Sequence, residues 1–290
     1  MMGFSKAASL RVGRARAFVF DMDGTLVLGT ASGGHYNPLP GAVDLLATLR
    51  ARQTPFRIFT NGTAKPPRVY AAALRESGLD VKDEEFMTPA SAAADWFVRK
   101  KIGRVRAMGG EGLHAPLREA GIEIIEPGSK ATGAEAVMTA WYEGFSIADL
   151  ERACNDIWAG AILTTASNVR FFATAGGRSI GHSFAINAAI RSLTGKNALI
   201  LGKPSRSAYA VALRQMGIPI AAASDTVIIG DDPALEMRMA RSTKALGVAI
   251  TTGIQNATGF RAAPSTERPD AILDSLMPLL EVLQRAPKFG

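Results

Sequence analysis

Residues Ala17–Leu26 read AFVFDMDGTL, and this stretch decides the fold. Phe18-Val19-Phe20 is an apolar run of the kind that forms a buried strand. It stops at two carboxylates, Asp21 and Asp23, one residue apart. Gly24 then lets the chain leave the strand sharply, and Thr25 follows. Apolar residues feeding directly into paired acids are unfavourable unless a cation or hydrogen-bond donors meet those acids. A metal ion and an anionic substrate meet that need, and an Asp can serve as a covalent nucleophile toward phosphorus. A strand ending in an Asx-rich turn accounts for the two acids alone, but less well for the full string.

Working outward, three further blocks follow apolar runs in the same way. They are FTNGT (Phe59–Thr63), GKPS (Gly202–Ser205) and VIIGDD (Val227–Asp232). The Thr60 hydroxyl and the backbone N–H groups of Asn61 and Gly62 can hold phosphoryl oxygens; a plain Thr-Asn-Gly turn fits that block equally well. Apolar strands and amphipathic helices alternate along the whole chain, which predicts an α/β fold with a doubly wound, Rossmann-like, mainly parallel sheet. Open sheets of this type bind ligands outside the carboxyl ends of their strands, where all four blocks lie. The middle of the chain, residues 87–196, holds no such block yet keeps the α/β alternation. The expected organisation is a core of residues 1–86 and 197–290 with an inserted α/β cap of residues 87–196. No GxGxxG follows a strand, so a dinucleotide fingerprint is unsupported.

Composition narrows the class. Of 290 residues, 47% are hydrophobic and 20% charged, a globular profile. No apolar run approaches the ~20 residues of a membrane helix. The basic stretch before Ala17 is read as a short mobile leader, because its only apolar run is already the first core strand. The net charge of +7 is spread without aromatic interleaving, so it reads as a field that draws small anions and not as a nucleic-acid surface. Cys154 is the single cysteine and cannot form an internal disulfide, which fits a reducing cytoplasm.

The four blocks, in this order, resemble the haloacid-dehalogenase (HAD) superfamily of phosphotransferases. The layout between the second and third blocks, with Met108–Ile125 (MGGEGLHAPLREAGIEII), resembles the nitrophenylphosphatase or nucleotide-monophosphatase-like branch with a class IIA cap. The resemblance implies a Mg²⁺-dependent phosphatase acting on small phosphomonoesters such as sugar phosphates or nucleotide monophosphates. It makes Asp21 the nucleophile that forms an aspartyl-phosphate. Asp23 is then the acid that protonates the leaving alkoxide and the base that activates water. An acid at position 23 favours phosphate-ester hydrolysis or phosphomutase chemistry over dehalogenation. Lys203 becomes the cation offsetting the charge of nucleophile and phosphate. Asp21, Asp231 and the backbone carbonyl of Asp23 become the metal ligands, with Asp232 and Glu236 near the metal or its waters. Thr60, Asn61 and Gly62 bind the phosphoryl group. Relatives carry a Thr-Asn-Pro-Asp string in a substrate-recognition loop of the cap. Here that loop is Thr165-Ala166-Ser167-Asn168, so Asn168 stands as the substrate contact without the acid. Arg170, Arg178, His182, His35 and Tyr36 are further contacts to weigh. Relatives also pair through their caps, which implies a homodimer. A phosphomutase, or a binding protein with vestigial chemistry on the same fold, are the rival readings.

Overall fold

A computed structural model describes residues 3–29, 35–174 and 177–287, without the side chains of residues 172–178. The chain divides into two compact units. The first comprises Met1–Thr60, Tyr70–Met87 and Tyr209–Gly290; the second comprises Asn61–Val69 and Thr88–Ala208. Residues 61–69 and 197–208, expected in the core, thus fold with the second unit.

The first unit is built on a six-stranded sheet. Its order is Ala271–Leu273, Leu246–Ile250, Thr226–Gly230, Ala17–Phe20, Phe56–Phe59, Phe86–Met87. Every neighbouring pair is parallel. Parallel neighbours require crossovers that cover both faces of a sheet, which is why Ala17–Phe20 and Thr226–Gly230 are buried along their whole length. Numbered by chain position, the order is 3-2-1-4-5-6, the doubly wound pattern. The core on one face joins Phe18, Phe20, Ile229, Val248 and Leu273 to helices Ala42–Ala51 and Met277–Arg285 through Leu45, Leu49, Leu279 and Leu283.

The second unit holds a five-stranded parallel sheet. Its order is Leu199–Ile200, Ile162–Thr165, Ala136–Thr139, Arg104–Met108, Glu123–Ile125. In chain order this is 2-1-3-4-5, another doubly wound pattern. The strand Leu199–Ile200, read as the restart of the core, pairs instead with Ile162–Thr165. A three-residue apolar run satisfies the edge of either sheet, and its register is a tertiary property. One apolar cluster packs helices Pro89–Arg99 and Glu111–Glu119 on the sheet through Phe97, Leu113 and Leu117.

Within the N-terminal stretch read as a mobile leader, the described residues form a packed helix. Lys6–Gly13 is a helix capped by the Ser5 hydroxyl, which accepts from the Ala8 N–H at 3.1 Å. Val12 is fully buried, and the Gly3 N–H donates to the Ile272 carbonyl at the sheet edge. The helix has only two turns, too few for an apolar period to show in sequence. Among the described residues, no helix is long and apolar enough to cross a membrane.

Candidate active site

In the first unit the direction of winding reverses between Ala17–Phe20 and Thr226–Gly230. These strands pair directly, with Phe20 opposite Ile229. Asp21 and Asp231 therefore leave adjacent carboxyl ends at a topological switch point, where such sheets bind ligands. The Asp21 N–H donates to the Ile229 carbonyl at 2.9 Å, which extends the ladder up to the acid. Both carboxylates are buried, Asp21 at 9% and Asp231 at 6% exposure. Apolar surroundings penalise both charges unless they are met by donors or a cation.

Two glycines form the cradle around Asp231. A methyl group on Gly24 would sit 2.5 Å from Asp231 Oδ2, and one on Gly253 would sit 1.9 Å from it. Gly24 also adopts a positive φ of 76°, so it is required both by its backbone and by the space it leaves. The Ile254 N–H donates to Asp231 Oδ2 at 2.8 Å, and the Thr252 hydroxyl donates to the Gly24 carbonyl at 2.6 Å. The loop after Leu246–Ile250 thus closes on the first block and fixes the Asp231 carboxylate.

Asp23 has a different environment from Asp21. Hydrogen bonds from Gly24 N–H to the Val27 carbonyl and from Leu26 and Val27 N–H to the Met22 carbonyl wind residues 22–27 into a tight turn. That turn buries Thr25 and Leu26 and leaves Asp23 exposed. Val27–Gly29 then pairs antiparallel with Tyr36–Pro38. The Tyr36 phenol is held above its ordinary pKa, first by burial and second by the Asp23 charge. His35 is exposed beside it.

The acids of the VIIGDD block take separate tasks. Asp232 Oδ1 accepts from the Ala234 N–H at 2.7 Å and caps the π-helical turn Pro233–Met237. Glu236 is 1% exposed and accepts from the Asp232 N–H at 3.1 Å, with its stem packed on Gly230. Among the described residues no three His, Cys, Asp or Glu side chains converge as a metal cluster. Asp21 and Asp231, two carboxylates at adjacent strand ends, are oxygen donors. That pair fits Mg²⁺, which takes one or two carboxylates and keeps several waters. Thr60 ends the strand Phe56–Phe59, is buried, and donates its N–H to the Met87 carbonyl at 3.2 Å.

The remaining site candidates lie in the second unit. Lys203 is 2% exposed and follows the strand Leu199–Ile200. The Asn61 side chain meets its backbone twice: Oδ1 accepts from the Lys203 N–H at 2.8 Å, and Nδ2 donates to the Lys203 carbonyl at 3.0 Å. Read from sequence, Asn61 supplies only a backbone N–H. Its side-chain role is hidden there, because the partners are 142 positions apart. Gly62 is half-buried in the same segment. Thr165 is buried and accepts from the Thr139 hydroxyl at 2.9 Å, whereas Asn168 is exposed in the loop that follows. The Arg170 guanidinium lies over the Phe184 ring at 5.6 Å, and His182 stacks on Trp141 with centroids 3.9 Å apart. The Arg178 side chain lies outside the described residues.

The second unit has its own switch point, between Arg104–Met108 and Ala136–Thr139. There the chain itself occupies the carboxyl ends. Thr63 Oγ1 accepts from the Trp141 N–H at 3.1 Å. A methyl on Gly112 would fall 2.1 Å from the Thr63 carbonyl oxygen and 2.7 Å from the Lys65 nitrogen.

Comparison with known proteins agrees with this architecture. A model of haloacid dehalogenase-like hydrolases matches residues 18–123, and a HAD-hydrolase-like model matches residues 200–279. Human chronophin is 27% identical over 96% of this chain and 97% of its own length. A 4-nitrophenylphosphatase from Thermotoga maritima superposes with a TM-score of 0.81 at 22% identity, covering 94% of this chain and 99% of its own. A glycerol phosphate phosphatase from Mycobacterium tuberculosis, solved in complex with magnesium, superposes with a TM-score of 0.79 at 24% identity, covering 93% of this chain and 77% of its own.

Proposed function

Because the chain belongs to the haloacid-dehalogenase-like hydrolases and has the class IIA fold of their nitrophenylphosphatase-like branch, we propose that it is a Mg²⁺-dependent phosphatase of small phosphomonoesters, acting through an aspartyl-phosphate. The observation that carries this reading is the pair Asp21 and Asp231. Adjacent parallel strands deliver both to one switch point, where two glycines let the chain pack closely around Asp231.

The steps follow from the residues. An Asp21 carboxylate oxygen attacks phosphorus in line, and the ester P–O bond breaks. Asp23 gives its proton to the leaving alkoxide and afterwards takes one from the water that cleaves the acyl phosphate. The two acids stand in different surroundings, Asp21 buried and Asp23 exposed, and an exposed Asp23 can exchange protons with water, which supports its role as acid and base. Asp21, Asp231 and the Asp23 carbonyl would hold Mg²⁺, which when bound neutralises phosphoryl charge. Thr60 and the Asn61 and Gly62 amides bind phosphoryl oxygens, and Lys203 supplies the cation. The second unit acts as the cap that selects the leaving group, with Asn168 in its recognition loop. A small polyol or sugar phosphate, or a nucleotide monophosphate, is the substrate class. The likeness to the Mycobacterium tuberculosis glycerol phosphate phosphatase, solved with magnesium bound, supports both that class and the metal. We place the enzyme in the cytoplasm, consistent with its buried, single thiol.

A panel of sugar, polyol, nucleotide and aryl phosphates, each assayed for released phosphate with Mg²⁺ and with chelator, tests the reading. Hydrolysis of at least one ester class with Mg²⁺ and its loss in chelator are expected. A folded protein inert toward every ester would contradict it.

A further inference from the structure

We infer that Asn61 is a positioning residue for Lys203, acting through its side chain and not only through its main-chain N–H. The inference rests on the reading of Lys203 as the cation of the reaction. A lysine on a four-carbon stem is a mobile point charge, and it serves one spot only if its main chain is held. Here a side-chain amide reproduces a peptide group and holds that main chain. Oδ1 takes the Lys203 N–H at 2.8 Å, and Nδ2 gives to the Lys203 carbonyl at 3.0 Å. The amide orientation is fixed by its partners, because a flipped amide would set donor against donor and acceptor against acceptor.

The surroundings restrict Lys203 further. The Leu201 N–H donates to the Thr165 carbonyl at 2.8 Å, and the Ser205 N–H donates to the Gly202 carbonyl at 2.9 Å. A methyl on Gly202 would lie 2.1 Å from the Ala166 carbonyl oxygen and 2.7 Å from Asn61 Oδ1, so only glycine lets the strand pass this close to Asn61. Lys203 is itself 2% exposed, so a buried side chain leaves this held main chain. Asn61 is also the next residue after Thr60. One residue thus couples the FTNGT and GKPS blocks, which are otherwise unconnected in sequence.

A double-mutant cycle tests this, using Asn61→Ala, Lys203→Ala and the double variant, with kcat and KM for an aryl phosphate and a thermal midpoint for each protein. Misplacing a reacting group by about an ångström can cost ~100-fold. The expected result is a loss of about 10- to 100-fold in kcat for Asn61→Ala in the Lys203 protein, and a loss within about twofold in the Lys203→Ala protein, since a lysine that is absent cannot be misplaced. A residue with a purely structural role would lower the thermal midpoint and cost the same factor in both backgrounds; that result overturns the inference. So does full kcat in a folded Asn61→Ala protein. Should Asn61→Ala fail to fold, Asn61→Asp carries the test: it keeps the volume and one acceptor, loses the donor to the Lys203 carbonyl, and is expected to show the same dependence on Lys203. Undiminished activity of Lys203→Ala alone would overturn the reading of Lys203 and this inference with it; that single variant separates it from a failure of the clamp.

Discussion

The two parallel sheets of this protein are wound by the same rule and use their openings in opposite ways. In the first unit the switch point is edged by Asp21 and Asp231, with Gly24 and Gly253 packed against the Asp231 carboxylate. In the second, the corresponding strands end in Met108-Gly109 and Thr139-Ala140, with no acid, and Thr63 and Lys65 pack where a ligand would enter. Topology alone creates a crevice. The residues at the strand ends decide whether it becomes a site or a packing surface, so fold does not fix function. Damage in the first crevice should therefore remove activity, whereas damage in the filled crevice of the second unit should remove stability.

The largest effect expected is on stability, in the second unit. Arg106 is 1% exposed; its Nε donates to Asp156 at 2.5 Å, and its other nitrogens donate to carbonyls including Ser129 at 3.1 Å and Ala131 at 2.7 Å. Arg106→Met leaves Asp156 buried without its cation and should cost about 3–5 kcal/mol, read by urea unfolding. An unchanged midpoint would mean that this unit is not held from within. Next comes Gly253→Ala, whose methyl displaces the Asp231 carboxylate. It should lower kcat/KM about 100-fold. Full activity there would mean that Asp231 is not part of the chemistry. Gly112→Ala strikes the filled crevice of the second unit. Overpacking against the Thr63 carbonyl should cost about 1–3 kcal/mol in stability, with the metal dependence of aryl phosphate hydrolysis unchanged. The smallest change touches selectivity alone. Asn168→Asp restores the acid seen in the loop of relatives and should shift relative kcat/KM among esters by about 1 kcal/mol. An unchanged ranking of esters would place recognition outside that loop.

How legible each part is follows from its physics. The acids of the first crevice stand out in sequence because an apolar strand ending in carboxylates is locally costly, and the cost shows within a single short stretch. The alternation of strands and helices likewise gives both parallel sheets from local pattern. What stays hidden is pairing at a distance. Nothing local says that Leu199–Ile200 joins the second sheet, that residues 61–69 fold with the second unit, or that Asn61 clasps Lys203. Glu236 is a related case. The resemblance puts it near the metal or its waters; its packing on Gly230 and its bond from the Asp232 N–H are a role that only the turn Pro233–Met237 reveals. The Lys6–Gly13 helix escapes a sequence reading for want of length, since tertiary burial of Val12 and not a visible period stabilises it.

Whether Asp21 becomes phosphorylated is tested most directly by mixing Asp23→Asn protein with an aryl phosphate and Mg²⁺, quenching in acid and locating the covalent phosphoryl group by peptide mass spectrometry. Without the Asp23 base, the second step slows and the intermediate accumulates. One phosphoryl group is expected on the peptide containing Asp21, and none in the Asp21→Asn/Asp23→Asn protein. A phosphoryl group on another residue, or turnover that persists in folded Asp21→Asn protein, would contradict the aspartyl-phosphate mechanism.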